Sequence, residues 1–310
     1  MTHTPPLVSV VIPAYNREET IVGCINSALN QSYSNIEVVV VDDGSKDATA
    51  DVVESTFAGS RVRLVRQENQ GANVARNHGI DAAKGKYVAL LDSDDEFKPD
   101  HIQTSVAILE AAIAPTLVYS QVIVDRGNGV NFLKPDRSIQ EGENMSEYLL
   151  CRKGFVQTSS VVLPRDFAAR VRYLPSLPVG QDVDFAIRCW NAGMRFVMKP
   201  TPGAIWHDHF DPNRISSSAK PAARQKWLED SRHILSNKAA HGFTGWFLAK
   251  SYAKSGHWGK GVSLYLSSII HRPYTAKHSV VVFLQVAASG SFYRRLADTV
   301  IGFKSKNSSK

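Results

Sequence analysis

The stretch Gly85-Lys86-Tyr87-Val88-Ala89-Leu90-Leu91-Asp92-Ser93-Asp94-Asp95-Glu96-Phe97 constrains this chain more than any other. Residues 87–91 are apolar with no polar break. A half-exposed strand would alternate, so an unbroken run of this length reads as a strand of a parallel sheet covered on both faces. It stops at Asp92, and four carboxylates follow within five residues. Open α/β sheets bind their ligands at the carboxyl ends of the strands. Carboxylates this close repel unless a cation or a set of donors offsets them. A hard divalent ion, held by one or two carboxylates while gripping phosphate oxygens, suits the pattern. A bare D-x-D also reads as an acidic surface loop, and the strand directly before it argues against that.

The same grammar recurs upstream. Residues 8–12 form a first strand, closed by Pro13 and followed by Tyr15 and Asn16. Ile21, Val22, Ile25, Ala28 and Leu29 then fall at helical spacing. A second strand over 37–41 ends in Asp42-Asp43-Gly44-Ser45, and a helix opens near Lys46, with Ser45 or Asp47 as caps. A short strand over 62–65 and a helix over 73–83 complete the pattern. Strands alternating with helices at this spacing predict βαβ units and a mostly parallel, Rossmann-like sheet. Right-handed crossovers bring the strand ends to one edge. Tyr15, Asp42-Asp43 and Asp92-Asp94 therefore line one crevice.

Beyond the acidic stretch the sequence predicts a helix from Pro99-Asp100 to about Ala114, a strand over 116–124, and a polar loop to Gly142. A strand over 159–163 follows. A helix opens at Gln181-Asp182 and is capped by Gly193, and strands over 196–198 and 204–206 come next, the second delivering His207-Asp208-His209. After Ser218 the pattern turns helical, over 221–240, 243–254, 258–270, 275–288 and 292–301. The predicted organisation is an α/β unit, residues 1–215, followed by a helical C-terminal region, residues 216–310.

Charge divides at the same place. The net charge of +7 conceals a net of −5 over residues 1–215 and +12 over residues 216–310. The acidic part suits cation chemistry, and the basic part should face something anionic. Trp227, Trp246, Phe247, Trp258, Tyr265 and Phe283 are interleaved with these cations. That composition predicts peripheral contact with an anionic membrane, or packing of the helices together, at a homodimer contact among other places. No nucleic-acid motif accompanies the charge. Cys24, Cys151 and Cys189 have no ligand or C-x-x-C spacing and read as core thiols of a reducing compartment. The start of the chain lacks signal-peptide features and no apolar run approaches the ~20 residues of a spanning helix, so the expected location is cytoplasmic, at the inner face of the membrane if docked.

Several motifs are excluded. No G-x-G-x-x-G follows the first strand, which argues against a dinucleotide-binding oxidoreductase. Gly79 to Lys86 has the wrong spacing for a phosphate loop and Tyr87 where Ser or Thr must meet magnesium. There is no G-x-S-x-G elbow, and His207-x-His209 lacks cysteine partners for structural zinc. What stays suits nucleoside diphosphate chemistry. Asp42 or Asp43 can accept from a base or ribose, or cap the next helix. Tyr15 can stack on a base or serve the framework. Arg76 can clamp a phosphate or pair on the surface. Asp182 reads as a helix cap and His209 as a surface histidine when each is taken alone.

Taken together, residues 8–16, 40–49, 70–77 and 91–95 resemble family 2 glycosyltransferases in order and spacing. The resemblance spans roughly residues 7–215. It implies a GT-A fold, a nucleotide-sugar donor with UDP the first expectation, Mn2+ or Mg2+ as cofactor, and inversion at the anomeric carbon. By the same resemblance Pro13, Tyr15 and Asp43 hold the base with Asp42 beside them, and Arg76 lies near the ribose or phosphates. Asp92 and Asp94 are the D-x-D pair flanking Ser93, Asp94 being the direct metal ligand. Asp182 is the catalytic base, and His209 completes the metal site. Gln181 replaces the usual Glu, and His207 stands where Arg is common. The Q-x-x-R-W element of processive synthases is absent, Gln225-Lys226-Trp227 being no match, so single-sugar addition to a cell-surface glycan or lipid-linked precursor is expected. A sugar-nucleotide pyrophosphorylase would need a Gly-rich basic loop after the first strand, and Pro13-Ala14-Tyr15-Asn16 is not one. A non-catalytic nucleotide- or glycan-binding module is opposed by the intact D-x-D and Asp182.

Overall fold

The computed structural model describes residues 4–127, 129–209 and 220–288, with five further positions between 292 and 299. β1 (Val8–Ala14), α1 (Ile21–Leu29), β2 (Ile36–Asp42), α2 (Thr49–Thr56), β3 (Val62–Arg66), α3 (Ala72–Ala82) and β4 (Tyr87–Leu90) follow in order. β1 pairs in parallel with β2 and β4, and β2 with β3. All seven residues of β1 are buried, as the unbroken apolar run requires of a strand covered on both faces. α3 lies so close to this sheet that a Cβ on Gly79 would stand 2.4 Å from Val11 Cγ1.

After β4 come β5 (Glu96–Phe97), α4 (His101–Ala111), β6 (Thr116–Tyr119), β7 (Val122–Asp125), β8 (Asn131–Lys134), α5 (Met145–Cys151), β9 (Val162–Pro164), α6 (Arg165–Val171), α7 (Gln181–Asn191), β10 (Arg195–Met198) and β11 (Ala204–His207). The main sheet has the order β10-β6-β9-β4-β1-β2-β3, with β9 antiparallel to both neighbours. A second sheet, β5-β11-β7-β8, stands beside it.

Three expectations are corrected here. The strand predicted over 116–124 is two strands, because the chain breaks at Ser120-Gln121 and passes from the main sheet to the second. The polar loop after it contains β8, which returns antiparallel on β7. The strand predicted over 159–163 begins with a 3-10 turn, Thr158–Ser160, and pairs only from Val162.

The C-terminal region forms α8 (Pro221–Asp230), α9 (Asn237–Phe243), α10 (Ala249–Lys254), α11 (Trp258–Ile269) and α12 (Ala276–Ala287). The helix predicted over 221–240 ends at Ser231 and restarts after Ser236, whose side chain accepts from Ala239 N. The break predicted before Phe243 is instead continuous, since a π turn over Thr244–Leu248 joins α9 to α10. Trp227, Leu235, Ala239 and Phe243 share one hydrophobic cluster with Tyr148 and Leu149 of α5 and Phe185 of α7. Truncating an aromatic such as Trp227 or Phe243 there costs about 3–5 kcal/mol. The boundary at 215 and half of the helix expected over 292–301 lie outside the described residues.

Candidate active site

The register sets the site. Ala14 pairs with Asp42, Asp42 with Arg66, and Val11 with Leu90, so β1, β2 and β4 end at one edge. The loops that follow are stitched together. Asn16, in a left-handed conformation at φ 51°, accepts from Lys46 N at 2.9 Å, and its own N–H donates to Ser45 Oγ at 3.0 Å. Pro13 is buried at the end of β1, and Tyr15 is exposed above it.

The two carboxylates after β2 have different work. Asp43 accepts from Gln67 Nε2, Gln70 N and Gly71 N, each at 2.8 Å, and so fixes the loop that opens α3. Asp42 Oδ1 is buried with no hydrogen-bond partner, while Oδ2 accepts from Ser45 N at 3.3 Å. A buried orphan acceptor is costly, which makes Asp42 the one with capacity for a ligand donor.

After β4 the acidic stretch divides in the same way. Asp92 Oδ1 accepts from Arg76 Nη2 at 2.7 Å, and Arg76 is itself 7% exposed, its guanidinium 5.2 Å from the ring of Tyr173. Ser93 is buried, and its carbonyl accepts from Thr20 Oγ1 at 2.9 Å. Asp94 is partly exposed, with Arg17 Nη2 3.7 Å from Oδ2. Asp95 is buried and accepts from Ser159 Oγ at 2.6 Å, Gln157 Nε2 at 2.7 Å and His207 N at 3.2 Å. Burial first, then the charges of Asp92 and Asp94, push its carboxyl well above the usual range. Asp95 thus ties the end of β4 to the 3-10 turn and to β11.

Asp182 lies in the first turn of α7, after Gly180 in the left-handed region at φ 82°. Its Oδ1 accepts from Thr158 Oγ1. Burial, then the charge on Asp92, raises its pKa to about 6, against the opposing pull of Arg76 and Thr158. Two turns of chemistry are thereby linked, because Asp92, Arg76 and Asp182 sense one another's charge.

His209 Nε2 and His207 Nδ1 each lie 3.4 Å from Asp125 Oδ2. Among the described residues, the His, Cys, Asp and Glu side chains close enough for three of them to share one ion are Asp125, His207 and His209. Asp92 and Asp94 stand outside that group. Two imidazoles with a carboxylate suit a divalent transition-metal ion, and a part-exposed carboxylate such as Asp94 suits Mn2+ or Mg2+ with substrate oxygens completing the shell. The residues therefore fit a divalent ion. Gly127, at φ 73°, approaches His209 so closely that a Cβ there would be 2.9 Å from the ring.

Sequence reasoning passed over Asp125, Asp95 as a separate anchor, and Asp184. Asp125 shares a register position with His207 across parallel strands, a neighbour relation invisible before β7 and β11 are paired. Asp184 is buried and accepts from Arg188 at 2.6 Å and Trp227 Nε1 at 2.9 Å, joining α7 to α8. Its spacing of four from Arg188 was the available signal.

Residues 9–168 match the family model described as Glycosyl transferase family 2. The chain is 35% identical over 259 residues to the amylovoran biosynthesis glycosyltransferase AmsB of Erwinia amylovora, covering 80% of this chain and 85% of that protein. Among solved structures, TarS 1–349 of S. aureus in complex with UDP-GlcNAc is similar with a TM-score of 0.64 at 17% identity, over 93% of this chain and 89% of that one. The mannosyltransferase PcManGT of Pyrobaculum calidifontis, in complex with GDP-Man and Mn2+, is similar with a TM-score of 0.56 at 19% identity, over 96% and 80%. The fold is that of the GT-A glycosyltransferases. The chain belongs to glycosyl transferase family 2.

Proposed function

We propose that this enzyme is an inverting, metal-dependent transferase that moves one sugar from a nucleoside diphosphate sugar to a hydroxyl of a cell-surface glycan or its lipid-linked precursor. The observation that carries the reading is Asp182, a carboxylate raised to about 6 beside the Arg76–Asp92 pair. A general base works best with a pKa near the operating pH. Asp182 takes the proton of the acceptor hydroxyl as that oxygen attacks the anomeric carbon, and Thr158 keeps its carboxylate oriented. Arg76 sits where negative charge grows on the departing diphosphate. Asp42 offers its free acceptor to the base or ribose, with Pro13, Tyr15 and Asp43 around it. Asp94, with Asp92, would hold Mn2+ or Mg2+, which would supply Lewis-acid neutralisation of the leaving group; His209, expected beside them from the sequence, stands instead with Asp125 and His207.

The UDP-GlcNAc complex of TarS and the GDP-Man and Mn2+ complex of PcManGT support a nucleotide-sugar donor, UDP being the first to try. The name of AmsB supports polysaccharide biosynthesis. We place the enzyme at the cytoplasmic face of a membrane, with the basic helical region of residues 216–310 against it. Among the described residues no helix is long and apolar enough to cross one. A thermal-shift screen of UDP-, GDP- and dTDP-sugars with Mn2+ tests the reading, since saturation to 100 Kd adds ~2.7 kcal/mol of stability. No shift with any donor would remove it.

A further inference from the structure

The region where the second sheet meets the C-terminal helices holds cations that, among the described residues, have no carboxylate at ion-pair distance. Lys134, at the end of β8, has its Nζ 5.6 Å, 5.3 Å and 5.9 Å from the rings of Phe132, Phe155 and Trp206. Arg224 of α8 is half-buried, and its Nε has no hydrogen-bond partner. Lys250 of α10 is half-buried, and its Nζ reaches Gln285 Oε1 at 3.1 Å, an amide that also accepts from Trp246. Lys254 lies one turn on, exposed at the rim. α8 and α10 pack together, with Tyr252 O–H donating to Gln225 Oε1 at 3.0 Å. Among the described residues none of these four cations has a carboxylate at ion-pair distance. The carboxylates that face them, Asp208 and Asp136, act on Lys134 from further off, and Asp208 is paired with Arg126 at 3.2 Å.

Such an arrangement is unfavourable on its own. Burial first, then the charges of Lys254, Arg224 and Lys134, together lower Lys250 to about 8. Burial also lowers Lys134, with Arg126 adding to the effect, and lowers Arg224. Half-buried cations that repel one another are tolerated where an anion joins them, because a charge-assisted bond to phosphate is among the strongest a side chain makes. Two lysines with freely rotating ammonium groups and one guanidinium fork match a ligand with several anionic oxygens better than a single carboxylate.

Position identifies the ligand. Trp206, one wall of the Lys134 cage, directly precedes His207, and Phe155, another wall, is three residues from Thr158, the partner of Asp182. Three residues span at most about 11 Å, so Lys134 and its aromatic cage stand a short glycan away from the base. In the proposed function Arg76, Asp92 and Asp94 serve the donor.

We propose that Lys134, Arg224 and Lys250, with Lys254 at the rim, bind the diphosphate of a lipid-linked acceptor and so hold its glycan toward Asp182. The proposal rests on the glycosyltransferase reading for the identity of the ligand as acceptor. The cluster as an anion site stands independently of it.

The test uses inorganic pyrophosphate in EDTA, where metal-bridged donor binding is switched off. By titration calorimetry the wild type binds, Lys250→Met and Arg224→Gln weaken binding at least tenfold, and Lys250→Arg restores most of it. Lys250→Met without ligand melts above the wild type, because an uncompensated cation is gone, so a failure to fold does not obscure the result. A second arm compares neutral phosphatidylcholine vesicles carrying a polyprenyl diphosphate with vesicles carrying phosphatidylglycerol at equal charge. Preferential recovery with the diphosphate, lost in the Lys250→Met/Arg224→Gln pair, supports the site. Equal pyrophosphate affinity in all variants, or vesicle binding that follows surface charge alone and ignores them, overturns it. UDP binding with Mn2+ in the same wild-type preparation tests the enzyme reading separately.

Discussion

Arg76 donates to Asp92 Oδ1 at 2.7 Å from a side chain that is 8% exposed, and this pair sets the charge that Asp182 feels. At an effective dielectric of 20, unit charges 4 Å apart interact by about 4 kcal/mol. Arg76→Met removes the cation and leaves two carboxylates facing one another. The acid limb of the pH-rate profile should move up by about one unit. Stability should fall, by less than the ~3–5 kcal/mol of a fully buried pair because Asp92 reaches solvent. Arg76→Lys should lie between. An unmoved acid limb would separate Arg76 from the base.

Asp182→Asn should leave the shape of the site and lower kcat by ~10²–10⁴, the usual range for a general base. The stability effect has a definite sign. A native pKa of about 6, above the ordinary 3.8, means the folded chain holds this proton longer than the unfolded one. The associated stability is full below about pH 3.8 and is lost as pH rises through about 6. Asparagine cannot ionise, so the variant should be more stable than wild type at pH 8, by at most about 3 kcal/mol. At pH 3 the advantage should vanish. Denaturant titrations at the two pH values measure it, and a kcat within threefold of wild type with chemistry rate-limiting would end the assignment.

Asp94 and Asp95 are adjacent in sequence and should respond oppositely. Asp94 is partly exposed, and its ion-pair contact with Arg17 is 3.7 Å long, so Asp94→Ala should melt near wild type while losing Mn2+-dependent donor binding. Asp95→Ala strands Ser159, Gln157 and the His207 N–H, buried donors that cost about 1–3 kcal/mol apiece when unpaired. Its melting temperature should drop well below that of Asp94→Ala. Calorimetric titration and thermal melts on the two proteins decide, and normal Mn2+ and donor binding by Asp94→Ala would count against its role.

That contrast marks the limit of sequence reading here. The strands β1, β2 and β4 were legible because each is buried on both faces and so reads as a continuous apolar run ending in carboxylates. The edge they share follows from βαβ handedness alone. Asp95 and Asp94 look alike in sequence, since which carboxylate turns inward depends on Ser159 and Gln157, more than 60 residues away. β9 has three residues, too few for a period, and its antiparallel direction is chosen by β4 and β6. The break at Ser120-Gln121 is a change of sheet, a tertiary choice, and the polar pair that marks it in the apolar run does not by itself tell a break from one continuous strand. Asp125 became a neighbour of His207 only through the same pairing.

The last prediction concerns the C-terminal helices. Of the aromatics interleaved with the basic residues, Trp227 and Tyr265 are buried and Trp246 and Phe247 pack against the core, so these serve the framework. Trp258 and Phe283 stay exposed, and with Leu266, Ile270, Val280 and Leu284 they leave an apolar surface on α11 and α12, Ile270 at 77% and Val280 at 60%. The region around them has 15 Lys+Arg against 3 Asp+Glu. Apolar side chains set among cations suit the interface of an anionic bilayer, where each nearby cation contributes ~1 kcal/mol. Removing the whole region is a poor test, because Trp227 and Phe243 belong to the core shared with α5 and α7. Ile270→Ser/Val280→Ser changes the surface alone and should fold as wild type. The wild type should pellet with phosphatidylglycerol vesicles, be released as salt shortens the Debye length, and ignore phosphatidylcholine. The double variant should stay in the supernatant at salt concentrations that retain the wild type. Equal recovery of both proteins, or of wild type with neutral and anionic vesicles, would assign α11 and α12 to another partner.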